Sequence, residues 1–595
     1  MMRVADYVMQ RLHQEGVNDL FMVTGRGVLY LSDAAAKYEH LSCVCVHHEQ
    51  AGAYAAMAYA QVNQKIGACL VSTGCASTNA ITPVLCAWQD NIPMIVVSGQ
   101  NSLQETVAYT GLPIRTYGQQ EADTVSIVKP ITKYAVMITD PESIGIEMDK
   151  AFHLARTGRK GPVWIDIPLD IQNMRIEESQ LARISESALP DMATEDDVNW
   201  VVDALVHAER PVIVIGSGVR SANAEMLLDS FISNVQIPVV YCASATDIYR
   251  ADKVLSIGAV GTMATNRAAN FAMQNADLLL IIGARMTSMT TGSDPDKFAR
   301  AARIVAVDID KHEFKKNNLK PERVIHSDAA LFLEKIGQKH IPIMWQNWIL
   351  KCIHYKTTFP KCETRYKTSN KVDLYHLAEV LSSHLDENAV FVTDSGLEEL
   401  ILPTTISFKQ QQHCLHPASQ GAMGYALPAA IGAYYSSCGQ RQVVAAIGDG
   451  SIMMNIQELQ TIAHHRLPIK ILIANNNCYA VIRKRQVDLF RTRTVGTDPD
   501  NGVSCPDFEK VAICFGLHYE RIETSDVLDE KLQQVMNCDV PVICEIMCPE
   551  DQEYINTSYV RTSKGRFVQR PLEDQAPFLE RAQFLAEMVI EPIDQ

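Results

Sequence analysis

Asp449 stands between Gly448 and Gly450, directly after the apolar run Val443-Val444-Ala445-Ala446-Ile447. Ser451 to Ala474 separate it from three amides, Asn475-Asn476-Asn477. A carboxylate, an amide oxygen and a backbone carbonyl are hard oxygen ligands, suited to an octahedral Mg²⁺ that shares phosphate oxygens. The apolar run reads as a buried strand. Ile452, Ile456, Leu459 and Ile462 then fall on one helical stripe that ends before Leu467-Pro468. Ile469 to Ala474 reads as the next parallel strand. The unit is βαβ, with an acid after its first strand and amides after its second, where doubly wound sheets bind ligands. The two glycines permit positive φ and close approach of backbone to a ligand. A helix starting near Ser451 turns its N-terminus toward an anion.

A second cluster, His47-His48-Glu49-Gln50, sits between a strand, Ser42 to His47, and the Ala-rich helix from His48 to Gln61. Alone, a carboxylate at a helix start is simply favourable with the helix dipole.

The elements that carry these clusters alternate strand and helix, which implies parallel sheets covered on both faces. Residues 1–175 form one such block, with strands at Asp19–Val23, Ala68–Val71, Met94–Ser98 and Val163–Ile167. A polar, acidic connector leads to a second block, 190–340, with apolar strands that end at Gly216-Ser217-Gly218, Gly283-Ala284-Arg285 and Asp308. Residues 341–372 lack a clear period and read as a linker. The third block spans 370–550, and 551–595 is a tail ending in a short helix. The fold class is α/β, with three doubly wound parallel-sheet domains.

The chain of 595 residues carries a net charge of −16, and 47% of its residues are apolar. That balance argues against nucleic acid or an anionic membrane as a partner. Sixteen cysteines without a CxxC pair fit reduced thiols. The N-terminus reads as an amphipathic helix, not a signal peptide, and no apolar run is long enough to span a bilayer. A cytoplasmic protein is expected.

The GDG…NN stretch resembles the diphosphate-binding motif of thiamine diphosphate (ThDP) enzymes. The likeness runs along nearly the whole chain: HHEQAGAYAAMAYA, STGCASTN, Gly158 to Pro168 and Gly421-Ala422-Met423-Gly424 resemble segments of the acetohydroxyacid (acetolactate) synthase branch. The resemblance implies a pyrimidine-binding, a central and a diphosphate-binding domain. It implies Mg²⁺ on Asp449, Asn476 and the Cys478 carbonyl. ThDP would be held by Gly448, Gly450, Ser451, Tyr479, Gly421 and Met423, with Gly25, Thr73 and Asn79 from the first domain. Met423 would wedge between the cofactor rings. Glu49 would hydrogen-bond the aminopyrimidine and drive loss of the thiazolium proton, and Gln120 would line the pocket with Met423. In such enzymes the site is shared between chains, so a homodimer or homotetramer is implied.

Gly216, Gly283, Arg285 and Asp308 fall where that branch contacts FAD. Related enzymes keep the same fold with ADP or with nothing bound, and the turn Gly258-Ala259-Val260-Gly261 departs from the branch's pattern, so FAD stays open. Other departures concern substrate. Met289 replaces an Arg that faces substrate, Arg485 stands where the branch has a Trp, and Gly25-Arg26-Gly27 changes the first turn. Arg26, Met289, Val481 and Arg485 are the residues expected to face substrate. Losing an Arg removes a bidentate carboxylate partner, and gaining a basic cluster, Arg483-Lys484-Arg485, suits a larger anionic acceptor. The tail, with Ser558, Arg561, Lys564 and Pro571-Leu572-Glu573-Asp574, resembles a closing lid. The expected function is decarboxylation of a 2-keto acid, such as pyruvate, and transfer of the two-carbon unit to a carbonyl acceptor, either pyruvate or a keto-sugar nucleotide. The same parts serve a C–C lyase, a decarboxylase or a flavin-linked oxidase. Retention of Glu49, Asp449 and Asn476 argues against a non-catalytic homologue.

Overall fold

The computed structural model describes residues 1–184, 191–316, 319–561 and 567–593. Three six-stranded sheets organise them. The first comprises β1 (Asp19–Met22), β2 (Ser42–Cys45), β3 (Gly67–Val71), β4 (Met94–Gln100), β5 (Tyr134–Met137) and β6 (Val163–Pro168). Their order is β2-β1-β3-β4-β6-β5. The second holds β7 (Pro211–Ile215), β8 (Val239–Tyr241), β9 (Ser256–Ala259), β10 (Leu278–Ile282), β11 (Arg303–Asp308) and β12 (Arg323–His326), in the order β9-β8-β7-β10-β11-β12. The third holds β13 (Val390–Thr393), β14 (His413–Leu415), β15 (Val443–Gly448), β16 (Lys470–Asn475), β17 (His518–Ile522) and β18 (Val542–Met547). Its order, β14-β13-β15-β16-β18-β17, repeats that of the first sheet. All neighbouring strands in these sheets are parallel. The second sheet has the order of dinucleotide-binding folds.

Buried parallel strands need apolar residues on both faces. β10, Leu-Leu-Leu-Ile-Ile, is buried throughout. The first and third units share one apolar core, which includes Phe21, Trp164, Ile447 and Ile473. Its seam is α1 (Glu49–Asn63) against α2 (Ala426–Ser436). Small residues let these helices touch: a Cβ on Gly432 would lie 2.0 Å from the Ala55 carbonyl oxygen. Tyr54 meets Tyr425 edge-on at 5.4 Å, and Tyr425 donates to Gln61 at 3.0 Å. The helix that carries Glu49 is thereby anchored to the third unit.

The stretch read as a linker carries a helix, Gln346–Thr358. It docks on the central unit through indole donors, Trp345 to the Ala208 carbonyl at 2.8 Å and Trp348 to the Pro211 carbonyl at 3.1 Å. The tail also returns to the central unit. Pro571 to Gln575 are buried there, with Glu573 paired to Arg300 at 2.8 Å and Gln575 bonded to the Gly261 carbonyl at 3.1 Å. Arg267 donates to the Gln575 carbonyl at 3.0 Å. Of the residues named for a lid, Lys564 lies outside the described residues, as does the side chain of Arg561. No helix among the described residues is long and apolar enough to cross a membrane.

Candidate active site

β15 and β16 are neighbours in the third sheet, paired from Val444 with Lys470 to Gly448 with Ala474. Asp449 and Asn476 therefore emerge side by side at their carboxyl ends. Asp449 Oδ2 accepts the Asn477 N–H at 2.6 Å, and Asn476 Oδ1 accepts the Cys478 N–H at 3.2 Å. Burial pushes the Asp449 carboxyl up to about 6, against hydrogen bonds from the Asn477 and Gly450 backbones. A divalent cation beside it would hold it ionised. Among the described residues no group of three or more His, Cys, Asp or Glu converges on a metal position. One carboxylate, one amide and one carbonyl therefore leave part of a cation's shell to outside oxygens, which fits Mg²⁺ shared with a diphosphate.

Two expectations about this stretch need correction. Neither Gly448 nor Gly450 adopts positive φ. Their missing side chains provide space: a Cβ on Gly450 would lie 1.9 Å from the Tyr479 ring, and one on Gly448 would lie 2.8 Å from Glu398 Oε1. The helix expected from Ser451 to His465 is also broken. A 3₁₀ turn, Ser451–Met454, is followed by a helix at Glu458–His465, and Asn455 between them is non-helical at φ −139°, ψ 32°. Ser451 is buried, and its hydroxyl donates to the Ser395 carbonyl at 2.9 Å.

A second set of acids, outside the motif spacing, lies beside this turn. Asp394, just past β13, accepts the N–H groups of Ser395, Gly424 and Ala426 at 2.8, 2.9 and 2.7 Å. It thereby fixes the turn that carries Gly421 and Met423. Burial raises its carboxyl to about 7. Glu398 is buried beside Gly448, with Oε1 lacking a partner among the described residues, and burial together with Asp394 and Asp449 raises it well above the carboxylate range. A signal existed: Asp394-Ser395-Gly396 follows an apolar strand as Asp449-Gly450 does.

In the first unit, Glu49 opens α1, and its Oε2 accepts from Asn79 Nδ2 at 2.9 Å. Arg26, Thr73 and Gln120 line one small cleft beside Gly27 and Gln100. Gly25 packs on Ser72, where a Cβ would come within 2.5 Å of the hydroxyl. Thr73 Oγ1 is buried without a partner among the described residues, a polar atom of the kind a bound cofactor satisfies. Gly421, at φ +55°, and half-buried Met423 stand on the turn held by Asp394.

Gly216, Gly283, Arg285 and Asp308 line one cavity of about 770 Å³ between the three units. Gly216 and Gly218 press on Gly283, where Cβ atoms would come within 2.3 and 2.7 Å of its backbone. Asp308 ends β11, and burial pushes its carboxyl up to about 6. Arg285 is committed to protein groups: it donates to the Gln89 carbonyl at 2.6 Å and to Ser419, which in turn bonds Asp90.

Met289 sits at the edge of that cavity. Its carbonyl accepts from Thr262 N–H at 2.8 Å, and its sulfur faces the Thr262 hydroxyl at 3.8 Å. The adjacent Met263 lies 3.6 Å from an Arg485 nitrogen. Arg483 is committed to Asp498 and Glu550, and Lys484 to Asp488. Arg485 has no acidic partner among the described residues. Val481 is half-buried on the same helix, Ala480–Phe490. The structure thus gathers Met289, Arg485 and Val481 in one region, while Arg26 stands apart beside Thr73 and Gln120.

Comparison with known proteins matches three family models. They are the N-terminal TPP binding domain of thiamine pyrophosphate enzymes over residues 2–127, their central domain over 198–336, and their C-terminal TPP binding domain over 394–546. An acetolactate synthase large subunit of Parasynechococcus marenigrum (strain WH8102) is 30% identical over 555 residues, covering 91% of this chain and 86% of that one. The acetolactate synthase isozyme 2 large subunit of Escherichia coli (strain K12) is 30% identical over 558 residues, covering 92% and 96%. An acetolactate synthase large subunit of Haemophilus influenzae is 28% identical over 575 residues, covering 94% and 96%.

Proposed function

The chain belongs to the thiamine pyrophosphate enzymes, in their acetolactate synthase-like branch, and from that footing we propose a Mg²⁺-dependent carboligase. It would decarboxylate a 2-keto acid, pyruvate first, and pass the two-carbon unit to a second carbonyl compound. The observation that carries this reading is the placement of Asp449 and Asn476 at the ends of adjacent strands, in a chain that also presents Glu49 at a helix start. Bound ThDP supplies the electron sink for loss of CO₂.

Asp449, Asn476 and the Cys478 carbonyl would hold the cation. Gly448, Gly450, Ser451 and Tyr479 would cradle the diphosphate. Gly421 and Met423, with Gly25, Thr73 and Asn79, would fix the rings. Glu49 would exchange a proton with the aminopyrimidine nitrogen, and Gln120 would face the donor. An ADP-containing ligand, FAD being the branch's example, is the proposed occupant of the cavity around Gly216, Gly283 and Asp308. Arg485, beside Met263 and without an acidic partner among the described residues, favours an anionic acceptor larger than pyruvate, of the keto-sugar nucleotide class. A cytoplasmic homodimer or homotetramer with shared sites completes the proposal.

CO₂ release from pyruvate, measured with ThDP and Mg²⁺ and with or without candidate acceptors, tests it. Release that depends on a keto-sugar nucleotide, with a branched product by mass spectrometry, supports the reading. Acetolactate from pyruvate alone would return the acceptor to the amino-acid type, and absence of release under all conditions would overturn the proposed donor.

A further inference from the structure

We propose that Asn455 is a positioning residue that holds the Glu49 helix and the Met423 turn in one register; this rests on the thiamine enzyme reading above. Asn455 is fully buried, and its backbone interrupts what would otherwise be a continuous helix. Its amide explains the interruption. Nδ2 donates to the Gly424 carbonyl at 2.8 Å and to Gln50 Oε1 at 3.1 Å. Oδ1 accepts from Gln457 at 3.0 Å. Gly424 follows Met423 directly, and Gln50 follows Glu49. Within one chain, one buried amide therefore bonds the residue next to the proton-transferring acid and the residue next to the cofactor-wedging thioether; with sites shared between chains, it ties the half-site that activates the partner's cofactor to the half-site that holds this chain's own.

The contact is built closely on both sides. Gly424 adopts φ +81°, and a Cβ there would lie 3.0 Å from Asn455 Nδ2. A second tie lies on the other flank of Glu49: the His47 N–H donates to Glu458 Oε1 at 3.1 Å, and Glu458 Oε2 accepts from Thr461 at 2.7 Å. Glu49 is thus bracketed by two hydrogen bonds with the segment just after the Asp449 turn: Gln50 accepts one from Asn455, and His47 donates one to Glu458. Both donors of the Asn455 amide and its acceptor are used, so truncating it leaves a buried carbonyl at Gly424 without a partner and releases Gln50.

The test uses the full-length enzyme with Asn455→Ala, Gln50→Ala and the double variant. Three quantities are read: melting temperature, ThDP affinity by calorimetry with Mg²⁺, and exchange of the thiazolium proton with deuterium at saturating ThDP. Asn455→Ala should weaken ThDP binding, because it frees Gly424, whereas Gln50→Ala should leave affinity unchanged. Both should slow proton exchange at saturation by about tenfold or more, the scale of a misplaced reacting group. The double variant should be no slower than Asn455→Ala, because the residues act as one unit. Wild-type exchange rates in a folded Asn455→Ala protein, or in Gln50→Ala if Asn455→Ala fails to fold, would overturn the proposal, as would additive effects. Failure of the wild-type protein itself to bind ThDP or exchange the proton would instead strike the thiamine enzyme reading.

Discussion

Met289 and Arg485 each touch one residue of the same turn: Thr262 donates its N–H to the Met289 carbonyl at 2.8 Å, and the adjacent Met263 places its sulfur 3.6 Å from Arg485 Nη2. The guanidinium is exposed and lacks an acidic partner among the described residues. A charge-assisted hydrogen bond from it to an anionic acceptor contributes about 1.5–3 kcal/mol. Arg485→Ala should therefore raise KM for such an acceptor about 10- to 100-fold, with acceptor-independent CO₂ release unchanged. Met289→Arg should shift preference toward a small carboxylate acceptor, since it restores a bidentate partner. Acceptor competition assays with product analysis measure both, and equal KM values in wild type and Arg485→Ala would remove Arg485 from the acceptor site.

Glu49→Gln keeps an oxygen that can accept from Asn79, so the helix start should stay folded. It removes a carboxylate that can exchange a proton. Turnover should fall about 10²- to 10⁴-fold, the range of general acid–base catalysis, with circular dichroism and melting temperature near wild type. Turnover within a few-fold of wild type would end the assignment of Glu49.

Asp449→Ala should weaken Mg²⁺-dependent ThDP binding beyond the roughly 10- to 100-fold typical of losing an outer-shell partner. The cofactor-free protein should behave differently. The Asn477 N–H that Asp449 accepts keeps the Asn475 amide oxygen as a second acceptor, so removing Asp449 should change the apo melting temperature little. Calorimetry and thermal melts separate the two effects. A large apo destabilisation with unchanged affinity would make Asp449 a structural residue.

Much of the architecture was legible because strands buried on both faces write themselves as apolar runs, as β10 and β15 do. The edge strand β17 did not: His-Tyr-Glu-Arg-Ile is only partly buried and reads as polar. The common strand order of the first and third units depends on pairing across distant segments, which periodicity does not encode. At the site, Asp449 and Asn476 were legible by spacing. The break at Asn455 was not, because the stripe of Ile452, Ile456 and Leu459 runs across it, while the Asn455 amide bonds Gly424 and Gln50, both distant in sequence. Asp394 was missed because its partners are backbone groups of a turn far along the chain.

Asp308 offers a pH test of the inter-domain cavity. Burial holds its carboxyl at about 6 in the ligand-free protein, well above the ordinary value of about 3.9. A ribose hydroxyl that donates to this carboxyl favours the ionised form, so bound ligand lowers its pKa and binding releases a proton where Asp308 starts protonated. Affinity for ADP, the simplest probe, should therefore be level above about pH 7 and fall through pH 6, by up to about tenfold per pH unit as the single-proton limit. Asp308→Asn cannot titrate and should show a weaker but flatter profile. Calorimetry between pH 5 and 8, in two buffers of different ionisation enthalpy, reads both affinity and proton release. Parallel pH profiles for the wild type and Asp308→Asn would show that the ligand does not meet Asp308. A wild-type loss confined to acidic pH, absent from the variant, would place the ribose at the end of β11.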